Sequence, residues 1–466
     1  MHLPSRDGAT PRRAGTRKLL PGLAGLACLW LAGCGGGGVA APEVVNQPPV
    51  PVAIPRASIT PAELGVVIIQ GDALSESIGV YYQAARGIPD ENVVRIALPS
   101  GRDEITAAEF SAAKAQLDAR LPARVQATLL SWAQPSRVRG ACAMSITSAF
   151  AFGYDAKYCV VQGNGCVPTA ASPYYNIDTT KPWQDLNLRP SMMLGASSLN
   201  AARALIDRGV RADRTYPAGA GYLLRTSDHD RSVRADDYPA LPALWNVAGG
   251  LKLNYIDNSA NAAADFVSFK PDVLFYFTGL VSVPQLNTNT FVPGAAADHL
   301  TSYGGFLPEA PPQMPITAWI EAGATASYGT VDEPCNFTSK FPQASIMIEQ
   351  YFRGATLIEA YWKSVQWPGQ GLFIGEPLAR PFLDDATSTI VGNEFVITTR
   401  QLRRNSRYSV EYRASSQSPW VELASVVTAQ PRQQTLRAPL PPAGSNEVRF
   451  VGPCPTNPSL QCALGS

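Results

Sequence analysis

The apolar positions of this 466-residue chain fall into two regimes. From Leu64 to about Phe382, short continuous apolar runs alternate with stretches of helical periodicity; from about Asp385 onward, apolar and polar residues alternate one by one. Leu64-Gly65-Val66-Val67-Ile68-Ile69 is an uninterrupted run with the length and β-branched content of a strand buried on both faces. A helical pattern over 75–86 follows, Gly87-Ile88-Pro89 stops it, and Val93-Val94-Arg95-Ile96-Ala97 predicts a second strand, so the segment reads as a βαβ unit. The rhythm continues with a helix near 107–121, strands at 127–132 and 191–194, a helix near 199–208, and strands at 222–224 and 273–277. Such alternation predicts an α/β fold: a mainly parallel sheet with helices on both faces.

The segment from about 138 to 182 breaks the rhythm with Gly, Pro, Asn and Tyr, and holds Cys142, Cys159 and Cys166. It is expected to be an insertion pinned by a disulfide. Past about 385, Tyr408-Ser409-Val410-Glu411-Tyr412 and Glu447-Val448-Arg449-Phe450-Val451 have period two, with turn residues between the runs and no helical segment. This predicts an antiparallel C-terminal module over 385–466, a small all-β sandwich. Its composition resembles fibronectin type III-like modules, which span roughly eighty residues; the resemblance implies a spacer or adhesive role.

Composition changes the picture at the N-terminus. Charged residues make up only 16% of the chain, against 40 Pro and 38 Gly, a balance that favours a loop-rich extracytoplasmic protein. Residues 1–33 carry Arg6, Arg12, Arg13, Arg17 and Lys18 against Asp7, a surplus of four, so the overall +1 becomes 1 − 4 = −3 without them. The basic stretch precedes an apolar run over 19–31, too short to span a membrane, which reads as a secretory signal. Leu31-Ala32-Gly33-Cys34 resembles the bacterial lipobox. That resemblance implies cleavage before Cys34, lipidation of its sulfur and a membrane-anchored body; Gly35 in the next position points to the outer membrane or cell surface of a Gram-negative bacterium. Residues 34–62, Gly-rich and then Pro-rich, read as a tether, and the α/β domain is expected over 63–384. No basic run of the mature chain recommends a nucleic-acid partner. Gly195-Ala196-Ser197-Ser198 carries no phosphate-loop lysine, so no nucleotide is expected either.

Past Cys34, six cysteines remain. An even number in an oxidising compartment is what a disulfide framework gives. Cys159 with Cys166 and Cys454 with Cys462 are near enough in sequence to close small loops, which leaves Cys142 and Cys335 as a third pair.

The candidate chemistry lies between Phe291 and Cys335, where Asp298-His299, Thr301-Ser302 and Glu333-Pro334-Cys335 stand among glycine turns. A thiol needs a base or a lowered pKa to be a nucleophile. Cys335 as nucleophile, His299 as base and Asp298 or Glu333 as orienter form one reading. The other places Asp298 at a helix cap, His299 on a backbone carbonyl and Cys335 in a disulfide. Ser302 or Ser327 would lack the strand-turn-helix frame that exposes a nucleophilic serine. Asp228-His229-Asp230 invites a metal reading, but Arg231 and Arg234 mark a helix start, so neither metal nor cofactor is expected.

Several motifs carry a family resemblance: Pro293-Gly294-Ala295 to Gly304-Gly305, Trp319-Ile320-Glu321-Ala322-Gly323-Ala324-Thr325, Glu333-Pro334-Cys335-Asn336-Phe337, Glu359-Ala360-Tyr361-Trp362-Lys363 and Gly375-Glu376-Pro377-Leu378-Ala379. Together they resemble an uncharacterised family of secreted bacterial proteins whose occurrence tracks the exosortase (PEP-CTERM) sorting system. The resemblance implies envelope or sorted surface proteins as partners and names no reaction. A second resemblance is to gingipain-type cysteine peptidases of the caspase-like fold, in which a strand ending in His-Gly precedes one ending in the catalytic Cys. Phe275-Tyr276-Phe277-Thr278-Gly279 is similar to the first of these strands, Ala322 to Ala326 to a following glycine-alanine strand, and Gly375 to Leu378 to the final turn. Thr278 stands in the histidine position and Ala296 to His299 near the cysteine position, so the resemblance implies the fold without its dyad. The sequence thus predicts a lipid-anchored, non-catalytic binding or accessory protein of an envelope pathway, with a caspase-like or otherwise doubly wound core, and a cysteine peptidase or transpeptidase using Cys335 and His299 as the alternative.

Overall fold

A computed structural model describes residues 52–454, apart from positions 55, 162–164, 309–311, 385, 429–432 and 446. The signal segment, Cys34 with its expected lipidation, and Cys462 lie outside the described residues.

Among the described residues, thirteen strands and nine helices precede residue 380. The strands are β1 (Leu64–Ile69), β2 (Val93–Ile96), β3 (Glu104–Thr106), β4 (Ala127–Leu130), β5 (Arg137–Arg139), β6 (Ala143–Ser145), β7 (Ser191–Met193), β8 (Ala220–Arg225), β9 (Lys252–Asp257), β10 (Val273–Gly279), β11 (Phe291–Leu300), β12 (Ala326–Thr330) and β13 (Gly371–Gly375). The helices are α1 (Ala73–Arg86), α2 (Ala107–Asp118), α3 (Ile146–Phe152), α4 (Pro182–Leu186), α5 (Leu199–Ala212), α6 (Leu241–Trp245), α7 (Thr317–Ala322), α8 (Ala344–Phe352) and α9 (Leu357–Ser364).

Ten strands form one sheet in the order β2-β1-β4-β7-β13-β12-β11-β10-β8-β9. Every neighbouring pair is parallel except β12 and β13, which run antiparallel. That one inversion divides the sheet into halves. In chain order, β1, β2, β4 and β7 lie as 2-1-3-4, and β8, β9, β10 and β11 lie as 2-1-3-4 again. The two halves therefore repeat one strand order, with β12 and β13 as the seam. Because Thr330 pairs with Gly371 and Ala326 with Gly375, the carboxyl ends of the two parallel halves face opposite edges of the sheet.

The strands predicted from continuous apolar runs are present at β1, β2, β4, β7, β8 and β10, and β1 is buried at all six positions. Local chemistry explains the helix boundaries. Asp72 caps α1 by accepting from the Ser75 amide at 2.8 Å, and Gly87, at φ 63°, ends it. Thr106 with Glu109 and Thr356 with Glu359 build capping boxes at α2 and α9.

The turn after β13 ties the halves together. Glu376 is fully buried and accepts from Tyr82 Oη at 2.6 Å and Arg86 Nε at 3.0 Å, while the Arg86 guanidinium also reaches Asp213 at 2.6 Å. Helix α5 can pass this carboxylate only because it carries Gly209, where a Cβ would lie 2.5 Å from Glu376 Oε2. The Gly375-Glu376-Pro377-Leu378 motif is thus a structural keystone.

The C-terminal region holds two three-stranded antiparallel sheets, Thr387–Val391 with Glu394–Thr399 and Gln434–Pro439, and Val421–Val427 with Arg407–Arg413 and Glu447–Cys454. Phe395, Ile397, Val410, Leu436 and Ala438 share one core between them, as the period-two pattern predicts. The end of the expected tether is packed rather than free: Val52 belongs to that core and Ile59 to the core of the α/β body. No helix among the described residues is long and apolar enough to cross a membrane.

Candidate functional site

The carboxyl ends of β10 and β11 bring Thr278 beside His299 and Phe277 beside Asp298 in register. Strand β11 runs through Gly294-Ala295-Ala296-Ala297, whose small alanine side chains are buried in two separate apolar clusters, Ala296 in one and Ala295 and Ala297 in the other, and its polar end is buried with it. Asp298 and His299 are each 1% exposed.

His299 is saturated. Trp319 Nε1–H donates to Nδ1 at 2.9 Å, so Nε2 carries the proton and donates to the Met314 carbonyl at 3.2 Å. Burial pushes its pKa down to about 3, and the guanidiniums of Arg234 and Arg231 push the same way. A neutral imidazole with both nitrogens engaged has no lone pair for a substrate proton. Asp298 faces Arg234, whose Nη2 lies 2.5 Å from Oδ1 and also donates to the Thr278 carbonyl at 2.8 Å. Burial raises the Asp298 carboxyl above its usual range and Arg234 opposes that rise. Asp298 therefore caps no helix. It holds a buried arginine between two strand ends.

Cys335 is bonded to Cys166, and Cys142 to Cys159. The expected Cys159–Cys166 and Cys142–Cys335 pairs are thereby corrected. Sequence proximity misleads here because α3 and the turn at Ala156–Tyr158 bring Cys159 back onto Cys142, while Cys166 continues to the loop after β12. Cys454 is also disulfide-bonded, and its expected partner Cys462 lies outside the described residues. Glu333 accepts from the Cys335 amide at 2.8 Å and so shapes the turn. The trio Cys335, His299 and Asp298 supplies neither a free thiol nor an available base. Asp228 is engaged by the Arg231 guanidinium at 2.8 Å, and no metal-competent cluster including it or His229 occurs among the described residues.

The saturation of His299 makes a pH prediction. A histidine whose folded pKa lies below its unfolded value, about 6.5, stabilises fully above 6.5 and progressively less as pH falls toward about 3. The loss expected from this residue is about 1.4 kcal/mol per pH unit within that window. Urea unfolding at pH 7 and pH 5 measures it; His299→Gln should flatten the dependence, and an unchanged slope in that variant contradicts the assignment.

The other edge of the sheet is open. Loops after β1, β4 and β7 surround a crevice of about 490 Å³, closed on its far side by α7 and the residues before it. Strands β1 and β4 are where this half changes direction, since β2 lies on one side of β1 and β4 on the other. Ligands of open α/β sheets bind at such a switch point because diverging loops leave a gap there. Its lining includes apolar Trp132 and Leu74, polar Asp72 and Gln134, and Thr317 and Glu321 of α7. None of its lining residues is His, Lys or Cys. No stretch of sequence marks it, because its residues are scattered over five loops and α7; the position of those after β1, β4 and β7, directly behind predicted strands, is the one signal available.

Fold and site define a mixed α/β protein with a mainly parallel sheet, an appended antiparallel β-unit and a cavity built from sheet-end loops. No family model, curated protein or solved structure matches this chain.

Proposed function

We propose that this chain is an exported, lipid-anchored, non-catalytic binding protein of the bacterial envelope, serving a surface-sorting pathway on a caspase-like scaffold. The single observation that carries the non-catalytic reading is the contrast between the two ends of the sheet: the end bearing Asp298-His299 is sealed and Cys335 is spent in a disulfide, whereas the other opens into a crevice with no nucleophile–base pair among the described residues. The caspase-like reading rests on β10 and β11 as adjacent parallel strands, ending in Thr278-Gly279 and Asp298-His299 where peptidases of that fold carry histidine and cysteine. Export and anchoring rest on the signal segment and Cys34, and on disulfides that suit an oxidising compartment. The C-terminal unit, similar to a fibronectin type III module, serves as spacer.

The purified mature protein is expected to show no hydrolysis of a peptide library above buffer, with or without mild reductant, and His299→Ala to leave that baseline unchanged. Hydrolysis that disappears in Cys335→Ser would establish the peptidase alternative. Membrane retention of Cys34→Ala would refute lipidation as the sole attachment.

A further inference from the structure

Resting on the reading of the crevice as a binding site, we infer that its ligand is a linear aliphatic polyamine, a methylene chain carrying two or three ammonium groups. Three observations converge on that chemistry. Two carboxylates line it: Asp72, half-buried in the turn from β1 to α1 with Oδ1 capping that helix, and Glu321, exposed on α7. Among the described residues no Lys, Arg or His lines the crevice, and neither carboxylate takes part in an ion pair. Glu76, one turn further along α1, shows the contrast by pairing with Arg95 at 2.9 Å.

The same crevice is lined by apolar Leu74, Trp132 and Pro315, and Ser75, Gln134, Ser197 and Thr317 offer further oxygen atoms. Methylenes gain from burial against such a wall, an ammonium gains from the face of a tryptophan, and N–H donors require acceptors at the ends. A crevice of about 490 Å³ lies in the range of small-molecule sites. A phosphate or dicarboxylate would meet two like charges with no compensating cation, which excludes anionic ligands on the same grounds.

Thermal unfolding and calorimetric titration of the full mature chain in detergent test this, with putrescine and spermidine as probes. 1,4-butanediol, glutarate and glucose serve as neutral and anionic comparators. The amines should raise the melting temperature and bind with a salt-sensitive affinity, while the comparators leave both unchanged. Asp72→Asn keeps the cap of α1, because asparagine caps as well as aspartate. It and Glu321→Gln should each weaken amine binding by roughly tenfold, the loss of one charge-assisted contact. Amine binding that neither variant changes would overturn the assignment to this crevice. Binding of a comparator without the amines would overturn the ligand class and leave the binding reading standing, whereas a crevice that binds no probe would overturn both.

Discussion

Glu376→Ala should lower the unfolding free energy by about 3–5 kcal/mol, the loss found when one partner of a buried ion pair is removed. The variant strands Arg86, buried beside Tyr82 and left with Asp213 alone. It also opens a void against Gly209, which was shaped to admit that carboxylate. Because Glu376 follows the seam strand β13 while Arg86 ends α1, the damage falls on the junction of the two sheet halves. Urea unfolding measures it. Glu376→Gln should lose less, since it keeps the shape and an acceptor for Tyr82, and a Glu376→Ala loss below about 1 kcal/mol would contradict the keystone role.

Cys166→Ser with Cys335→Ser should destabilise by about 4–5 kcal/mol, because this bridge joins residues 169 apart and so restricts a long loop in the unfolded chain. The double variant avoids a stray thiol. Its effect should exceed that of removing Cys142–Cys159, which spans 17 residues. In the parent protein under non-reducing conditions, a maleimide probe should leave Cys335 unlabelled; labelling there would revive the thiol reading. Both measurements bear on function, since the same bond that secures the loop after β12 removes the sulfur that the sequence offers as a candidate nucleophile.

The legible parts of this chain were those where local sequence and burial agree. Leu64 to Ile69 had to be a buried strand, as its apolar side chains leave no polar face, and the period-two runs at Tyr408 to Tyr412 and Glu447 to Val451 do pair with one another, Tyr412 opposite Val448. Strand β11 is not legible in the sequence because Gly294-Ala295-Ala296-Ala297 has no strand propensity of its own; the limited space between two apolar clusters selects those small residues. The segment from Phe291 to Cys335 looked reactive because polar, nucleophilic and glycine residues gather there in sequence.

Tertiary structure decided what those residues do. Whether a histidine is a base depends on what occupies its two nitrogens, and here Trp319 and Met314, 20 and 15 residues distant, occupy both. Whether a cysteine is a nucleophile depends on which sulfur it meets, and Cys335 meets Cys166 across 169 residues. By itself the sequence determined the alternation of elements, and hence the α/β body and its β appendage, because strand and helix periodicity are local properties of burial. The inversion at β12–β13, the disulfide pairing and the open crevice come from contacts between distant segments, which no local pattern encodes.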